Sequence, residues 1–363
     1  MLRPANIEEL CEIVAAGGKL RLRGGGSKDA IGAPTPDATV VDMRGFAGVV
    51  DYDPPELVLT VGAGIPLAEV QALVAAEGQM LAFDPFDHGA MLGGTTGDAT
   101  IGGVIAAGVS GPGRLSGGAA RDHLLGFTAV SGRGERFVAG AKVVKNVTGY
   151  DLSKLVTGSW GRLAALTEVT LKVLPAPRER RTLVVRGLDP AAAVARMAEA
   201  LGSAAEVSAA AHLPDWQGTA VTALRLDGFP PSIAARAAML PDFTAVPDGE
   251  TLWEAVRFAS PLPADRPLWR VIVAPSRAPG VVAALPGADW LFDWAGGLVW
   301  LASEIDPRAV AEAAGGHAML MRADAAMRTA VPTLHPQPAA LAALEARVRR
   351  AFDPAGVFET GRL

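Results

Sequence analysis

The stretch from Gly93 to Gly126 narrows what this chain can fold into more than any other. It reads Gly-Gly-Thr-Thr-Gly-Asp-Ala-Thr-Ile-Gly-Gly-Val-Ile-Ala-Ala-Gly-Val-Ser-Gly-Pro-Gly-Arg-Leu-Ser-Gly-Gly-Ala-Ala-Arg-Asp-His-Leu-Leu-Gly. It is too rich in glycine for a packed core helix and too apolar for a solvated linker. Glycine admits φ > 0 and lets a ligand approach the main chain closely. Thr95, Thr96, Thr100 and Ser110 add small hydroxyls among bare N–H groups. The stretch therefore reads as main chain wrapped around a large, partly anionic cofactor. The competing reading, a long flexible loop, is weaker, because long structureless loops inside compact domains are uncommon and often functional.

A chain of 363 residues suggests two or three domains, and half of it is apolar, enough for a sizeable core. A net charge of −5 without a basic patch argues against a nucleic-acid binder. The single cysteine, Cys11, falls in an apolar helical pattern and is expected to be a buried small hydrophobe. One cysteine excludes both a disulfide framework and a cysteine-ligated iron–sulfur cluster within this chain. Glu8, Glu9 and Glu12 interrupt the first apolar run, so no signal peptide is read there. No uncharged apolar run reaches membrane-spanning length, and the expected compartment is the cytoplasm.

Residues 6 to 17 read as a helix capped by Asn6, with Glu9 at the capping-box position. Lys19 to Arg23 alternates like a strand and runs into Gly24-Gly25-Gly26-Ser27. Glycines after a strand can turn several N–H groups toward one point and nest an anion; an ordinary turn reads equally well from these residues. The loop is neither a Walker A motif nor a dinucleotide fingerprint, since the required following residues are missing. Further strands are expected at Thr39–Met43, Leu57–Val61 and Met80–Phe83, with a helix opened by Pro66 between the last two. Phe127–Val130 and Arg136–Val138 flank a hairpin turn at Ser131–Gly134. Asp151 caps a short helix to about Val156, Gly158-Ser-Trp-Gly161 is a turn, and Thr167–Val173 alternates as a strand.

Pro175-Ala-Pro177 and the charged Arg178–Arg181 mark a domain boundary. Six of the seven tryptophans follow, between Trp216 and Trp300. This half reads as α+β, with helices near 190–201 and 232–239 and strands near 219–226, 268–274 and 298–303. From Pro338 the pattern is helical, with Leu341, Leu344, Val348 and Phe352 on one stripe, expected to pack as core.

Five segments in a fixed order resemble the FAD-binding flavoproteins of the vanillyl-alcohol oxidase / p-cresol methylhydroxylase (PCMH) type. They are Arg23–Ser27; Thr100–Gly103 with Gly108–Gly113; Arg121-Asp122; Lys145-Asn-Val-Thr-Gly-Tyr-Asp151; and Gly158–Gly161 leading to Thr167-Glu168. Phe352-Asp-Pro-Ala-Gly-Val-Phe358 is similar to that family's C-terminal end. Within the family the likeness is strongest to the FAD-binding subunits of bacterial glycolate oxidases, through Gly108–Arg114, Ser116–Asp122, Lys145–Asp151 and the tryptophan of Gly158–Gly161.

The resemblance implies an α+β fold: a two-part PCMH-type FAD-binding domain over 1–175, an α+β cap domain over 178–335, and a segment over 336–363 returning to the first. It implies FAD, held noncovalently because Ser27 and Lys28 stand where covalently flavinylated members carry a histidine. Arg23, Gly24, Gly25, Gly26, Ser27 and Lys28 would hold the pyrophosphate. Gly97, Ala99, Thr100, Ile101, Gly102, Gly103, Ala106, Gly108, Gly111, Pro112, Ser116 and Gly117 would line pyrophosphate, ribose and isoalloxazine. Asp122, Leu125 and Gly126 would reach the adenosine end, with Gly161 and Leu163 approaching from the other side. Glu359-Thr-Gly-Arg362 replaces the family's usual Asn-Pro-Gly-Lys/Arg ending, which argues against a flavin contact from the C-terminus.

The implied activity is oxidation of glycolate or a similar 2-hydroxy acid, in a complex with a second flavoprotein subunit and an iron–sulfur subunit. A self-sufficient D-2-hydroxyacid dehydrogenase and a non-catalytic electron-relay subunit are the alternatives. The five histidines, His88, His123, His212, His317 and His335, show no metal-ligand spacing. No catalytic residue is assigned. Arg225, Arg270 and Arg322 read as structural or solvated, and the tryptophans as core and interface.

Overall fold

The computed structural model describes residues 1–140 and 150–362. Asn6 caps α1 (Ile7–Ala15): its side chain accepts the Glu9 N–H at 2.9 Å, and Glu9 accepts the Ala5 N–H at 2.9 Å. β1 (Leu20–Arg23) and β2 (Thr39–Asp42) pair in parallel. The far end of the chain lies beside β1, with Leu20 N–H donating to Val357 O and Glu359 N–H to Leu20 O, both at 2.8 Å. Leu10, Val14, Val41 and Phe358 close this small unit. Cys11 lies at its edge, half-buried rather than buried, because α1 turns that side partly to solvent.

A five-stranded antiparallel sheet follows. Its strands are β3 (Val49–Asp53), β4 (Val58–Gly62), β6 (Leu124–Ser131), β7 (Arg136–Gly140) and β8 (Ala164–Lys172), in the order β3-β4-β8-β6-β7. Between β4 and β6 run α2 (Leu67–Ala76), β5 (Gln79–Met80) and α3 (Ile101–Ala107). β5 stops at Met80, where it pairs with β9 (Leu174–Pro175), instead of continuing to Phe83. Leu81, Ala82 and Phe83 are buried without ladder partners, so their apolar run reports core packing and not a strand.

The glycine-rich stretch also departs from expectation, since α3 within it is a packed core helix. Ile101, Val104 and Ile105 are fully buried, and Gly102 is what lets the helix approach. A Cβ at Gly102 would stand 2.7 Å from both the Cβ and the carbonyl oxygen of Ala63. Glycine here removes bulk between helix and strand end, in addition to exposing main chain.

The second half is one eight-stranded antiparallel sheet. It contains β10 (Glu179–Arg186), β11 (Ala209–Trp216), β12 (Thr219–Gly228), β13 (Thr244–Val246), β14 (Leu268–Ile272), β15 (Asp289–Asp293), β16 (Leu298–Ala302) and β17 (His317–Arg322). The order is β13-β10-β12-β11-β15-β16-β14-β17. Successive strand residues face opposite sides. Trp269, Val271, Val299, Leu301 and Leu320 pack under the helices of this half, including Pro190–Leu201 and Pro230–Ala238. Leu268, Leu298, Trp300, Met319 and Met321 share one apolar cluster with Phe83, Phe86 and Ile105 of the first half. The two halves therefore have a common core, and the side chains between them come from alternate positions of β14, β16 and β17.

The helix Ala339–Phe352 forms as the pattern predicts, but its stripe is not core. Leu341 is 53% and Leu344 51% exposed, and no residue of the helix is buried. Its contacts lie toward the first half, through Glu345 to Arg162 at 2.6 Å and Phe352 to Phe137.

Candidate cofactor cleft and adjoining cavity

β1 delivers Arg23 to a cleft that the loop Gly24–Lys28 also lines. Asp29 pins the arginines of β1, at 2.7 Å from Arg23 and 2.9 Å from Arg21. The glycines are dictated by crowding. A Cβ at Gly24 would meet Thr100 Oγ1 at 2.3 Å and one at Gly25 the Asp98 carbonyl oxygen at 1.6 Å, whereas Gly26 has φ +91°. Among the described residues, the N–H groups of Gly25, Gly26, Ser27 and Lys28 donate to no protein acceptor. Four free amides in one turn make an anion nest.

Two cations join them. Lys28 and Arg362 line the cleft with no carboxylate in ion-pair contact among the described residues. Burial lowers the Lys28 ammonium from 10.5 to about 8, with Asp87 opposing and Arg362 adding to the shift. Burial also brings Arg362 down to about 10. Its guanidinium lies 4.9 Å from the Trp160 ring centroid and donates to the Lys28 carbonyl at 3.2 Å, and its Nε is buried without a partner. The C-terminal segment thus lines the cleft, although its ending departs from the Asn-Pro-Gly-Lys/Arg pattern. What holds it there is the pairing of Val357–Glu359 with Leu20, which does not depend on the lost Asn-Pro.

Ala107 and Trp160 belong to the wall of this cleft and also to that of a second cavity, so the two are contiguous. Trp160, with φ +60°, is held by N–H donation to the Ala106 carbonyl at 2.7 Å. The second cavity lies between the halves. Gly108, Ser110 and Arg114 face it from one side, and Arg270, Trp300 and His317 from the other. His88 lines it too, buried, with Nδ1 unpartnered; burial, then Lys28 and Arg270, keep its imidazole well below the usual value.

The other expected arginines are structural, as read. Arg225 sits 3.6 Å from Asp84, and Arg322 donates to the carbonyls of Met91 at 2.9 Å and Pro263 at 2.6 Å. Arg270 differs, because it projects from the inner face of β14 with no hydrogen bond or ion pair among the described residues. His123 and His212 make internal contacts to Gly117 O and Thr222 Oγ1, and His335 to Glu312.

Of the residues singled out from sequence, the first cleft gathers Arg23–Lys28, Thr100, Gly102, Gly103, Ala106 and Gly161, and the second cavity takes Gly108. Ser116 and Gly117 line a third cleft, beside Asp84 and Arg225. Gly97, Ala99, Ile101, Gly111, Pro112, Asp122, Leu125, Gly126 and Leu163 line none of the three. Ile101 is helix core; Gly97 and Ala99 N–H groups donate to Asp87; Asp122 accepts the Ala119 N–H at 2.8 Å. The part of the Lys145–Asp151 motif before Tyr150 lies outside the described residues. Among the described residues no cluster of His, Cys, Asp or Glu is arranged to hold a metal.

The family model described as FAD binding domain matches residues 1–140. Over 373 aligned residues the chain is 34% identical to the glycolate oxidase subunit GlcE of Escherichia coli K12, covering 99% of this chain and 96% of that one. The chain belongs to the GlcE family of glycolate oxidase subunits. Glycolate oxidase subunit GlcD of Bacillus subtilis 168 is 30% identical over 53% of this chain and 41% of its own length. Among solved structures, an alkyldihydroxyacetonephosphate synthase superposes with a TM-score of 0.67, covering 98% of this chain and 74% of that one at 15% identity, which shows a shared fold.

Sequence reasoning missed Arg362, Trp160 as a wall residue, and the convergence of His88, His317 and Arg270. The alternation in Leu268-Trp-Arg-Val-Ile272 does place Arg270 on one strand face. Only the docking of the two halves shows that this face looks into a cavity.

Proposed function

We propose that the chain is the FAD-binding subunit of a glycolate oxidase-type complex and takes part in oxidising glycolate or a similar 2-hydroxy acid to the 2-oxo acid. The supporting observation is the joining of two clefts, one with four amides and two cations unpaired among the described residues, the other cationic and walled by both halves. The first fits the pyrophosphate of a dinucleotide. The Gly25–Lys28 amides, Lys28 and Arg362 would hold it, with Trp160 on the wall shared with the second cavity. Bound FAD supplies a two-electron acceptor. The second cavity attracts the anionic substrate to Arg270, Arg114 and His317 and excludes bulk water through Trp300, Met319 and Met321.

We read residues 1–175 as the FAD-binding part, 178–335 as the cap and 336–363 as a returning segment. FAD is held noncovalently, since Ser27 and Lys28 replace the attachment histidine. Onward electron transfer needs partners, a second flavoprotein subunit and an iron–sulfur subunit, because one cysteine cannot ligate a cluster. No helix among the described residues is long and apolar enough to cross a membrane. A cytoplasmic location, with any membrane contact made through the partners, is part of this reading. The grouping of His88, His317 and Arg270 around one cavity favours a second reading in which this chain turns over substrate by itself.

The test is purification of the chain alone and with its partners. Yellow protein whose flavin enters the supernatant on acid precipitation is expected. Flavin left in the pellet would contradict noncovalent binding, and protein that takes up no FAD overturns the proposal. Glycolate-dependent dye reduction by the lone chain would favour the second reading.

A further inference from the structure

We infer that His88 is the residue of the second cavity that recognises the 2-hydroxyl of the substrate. A nitrogen of its neutral imidazole accepts the hydroxyl hydrogen, so a 2-hydroxy acid is held in preference to an acid of like size and charge without the hydroxyl. The inference rests on the reading of this cavity as the substrate side of the cofactor site.

Hydroxyl recognition needs an acceptor, and the wall offers few. Arginine and tryptophan side chains only donate, and no Asp or Glu among the described residues lines the cavity. The two hydroxyls on the wall are engaged: Ser110 accepts the Ala120 N–H at 3.0 Å, and Thr157 donates to the Ser153 carbonyl at 2.8 Å. Two imidazoles remain. His317 is exposed, so water reaches its ring. His88 is only 5% exposed. Its Nδ1 is buried without a partner, and its Nε2 makes no hydrogen bond among the described residues. Buried polar atoms are as a rule hydrogen-bonded, so an imidazole orphaned on a cavity wall marks a place for a polar group of the ligand.

The imidazole is held where it stands. Asp87 accepts the N–H groups of Gly89 and Gly97, both at 2.8 Å, and of Ala99 at 3.2 Å, which closes the loop that carries His88. The His88 carbonyl accepts the Leu92 N–H at 3.0 Å. Its ring lies 4.7 Å from that of Phe86, which meets Phe258 of the second half edge-on at 5.7 Å.

The surroundings keep this ring an acceptor. Burial, the Lys28 ammonium and the Arg270 guanidinium all disfavour its protonated form, so it is neutral near pH 7 and retains one lone pair. Arg270 lines the same cavity and has no ion pair among the described residues. A 2-hydroxy acid carries its carboxylate and its hydroxyl on adjacent carbons. A free cation and a free acceptor, near enough for the charge of one to act on the other, match that pair. The carboxylate goes to Arg270 and the hydroxyl to His88.

Glycolate and propionate test this, because they share one charge and nearly one size and differ by a hydroxyl against a methyl. The flavin-loaded protein is reduced without oxygen and freed of reductant, so that glycolate binds without being oxidised. Each acid is then titrated by tryptophan fluorescence, which Trp160 and Trp300 on the wall report. Wild-type protein is expected to hold glycolate about tenfold more tightly than propionate, the effect of one hydrogen bond. His88→Leu should abolish the difference, and His88→Gln, which keeps an acceptor, should restore part of it. Equal binding of the two acids by wild-type protein overturns the inference and needs no variant to fold. So does a preference that survives His88→Leu in folded, flavin-loaded protein, including the case in which only the flavin spectrum changes and the imidazole serves the ring. Wild-type protein that takes up FAD but neither acid shows instead that this cavity is not the substrate side, and protein that takes up no FAD overturns the cofactor reading; either result removes the ground of the inference.

Discussion

Gly25 and Gly280 show how differently one residue type can act. At Gly25 a Cβ would fall 1.6 Å from the Asp98 carbonyl oxygen, so the loop must shift. Gly25→Ala should cost about 1–3 kcal/mol as an overpacked site and lose most of the bound FAD, read by thermal melts and flavin content of the same preparation. Gly280 lies inside the helix Ala278–Ala283, where a Cβ would meet nothing within 4 Å. Gly280→Ala should therefore stabilise by about 0.5–1 kcal/mol in urea titrations, with flavin content unchanged. At Lys28, replacement by Met removes a cation but keeps the stem. FAD should bind about tenfold to a hundredfold more weakly, by fluorescence titration of the apoprotein. The glycines are legible in the sequence because so few other roles explain a run after a strand. Lys28 gains its meaning only when Arg362 and the unpaired amides of its own loop stand beside it.

Among elements, those with local signals are legible in the sequence and those needing a partner are not. Asn6 and Glu9 specify the start of α1 within four residues of chain, so the capping box is visible at once. The stripe at Leu341, Leu344, Val348 and Phe352 specifies a helix face but not what that face meets, and half of Leu341 and Leu344 meets solvent. Strand β11 carries a pH-dependent contribution. His212 is buried between Thr222 Oγ1, at 2.9 Å, and the stacked rings of Trp290 and Phe292, and burial lowers its imidazole from 6.5 to about 4. The unfolded chain takes up the proton first as pH falls. The stability due to neutral His212 is therefore full above pH 6.5 and lost between 6.5 and about 4. His212→Gln should flatten the wild-type decline in stability between pH 7 and pH 5; an identical slope in both proteins would contradict this.

At the scale of the molecule, sequence composition separates two halves but cannot show how they meet. The first cleft draws on residues 20–29, Met43, Ala63 and residues within 100–107, 160–166 and 358–362, stretches that no local pattern connects. The shared apolar cluster makes the halves interdependent. A fragment ending at residue 177 exposes the Phe83, Phe86 and Ile105 face that β14, β16 and β17 cover. It should aggregate or remain without fixed tertiary structure, seen by size exclusion and near-ultraviolet circular dichroism, while the whole chain melts with FAD-dependent cooperativity.

The contact of Arg362 with the Lys28 carbonyl spans 334 positions. The glycine turn near the start of the chain is therefore completed only by the last segment, which pairs beside Leu20. Contacts so distant in sequence form late. If the cleft holds FAD as proposed, a chain truncated before residue 358 should bind it more weakly than the whole chain, as read by fluorescence titration.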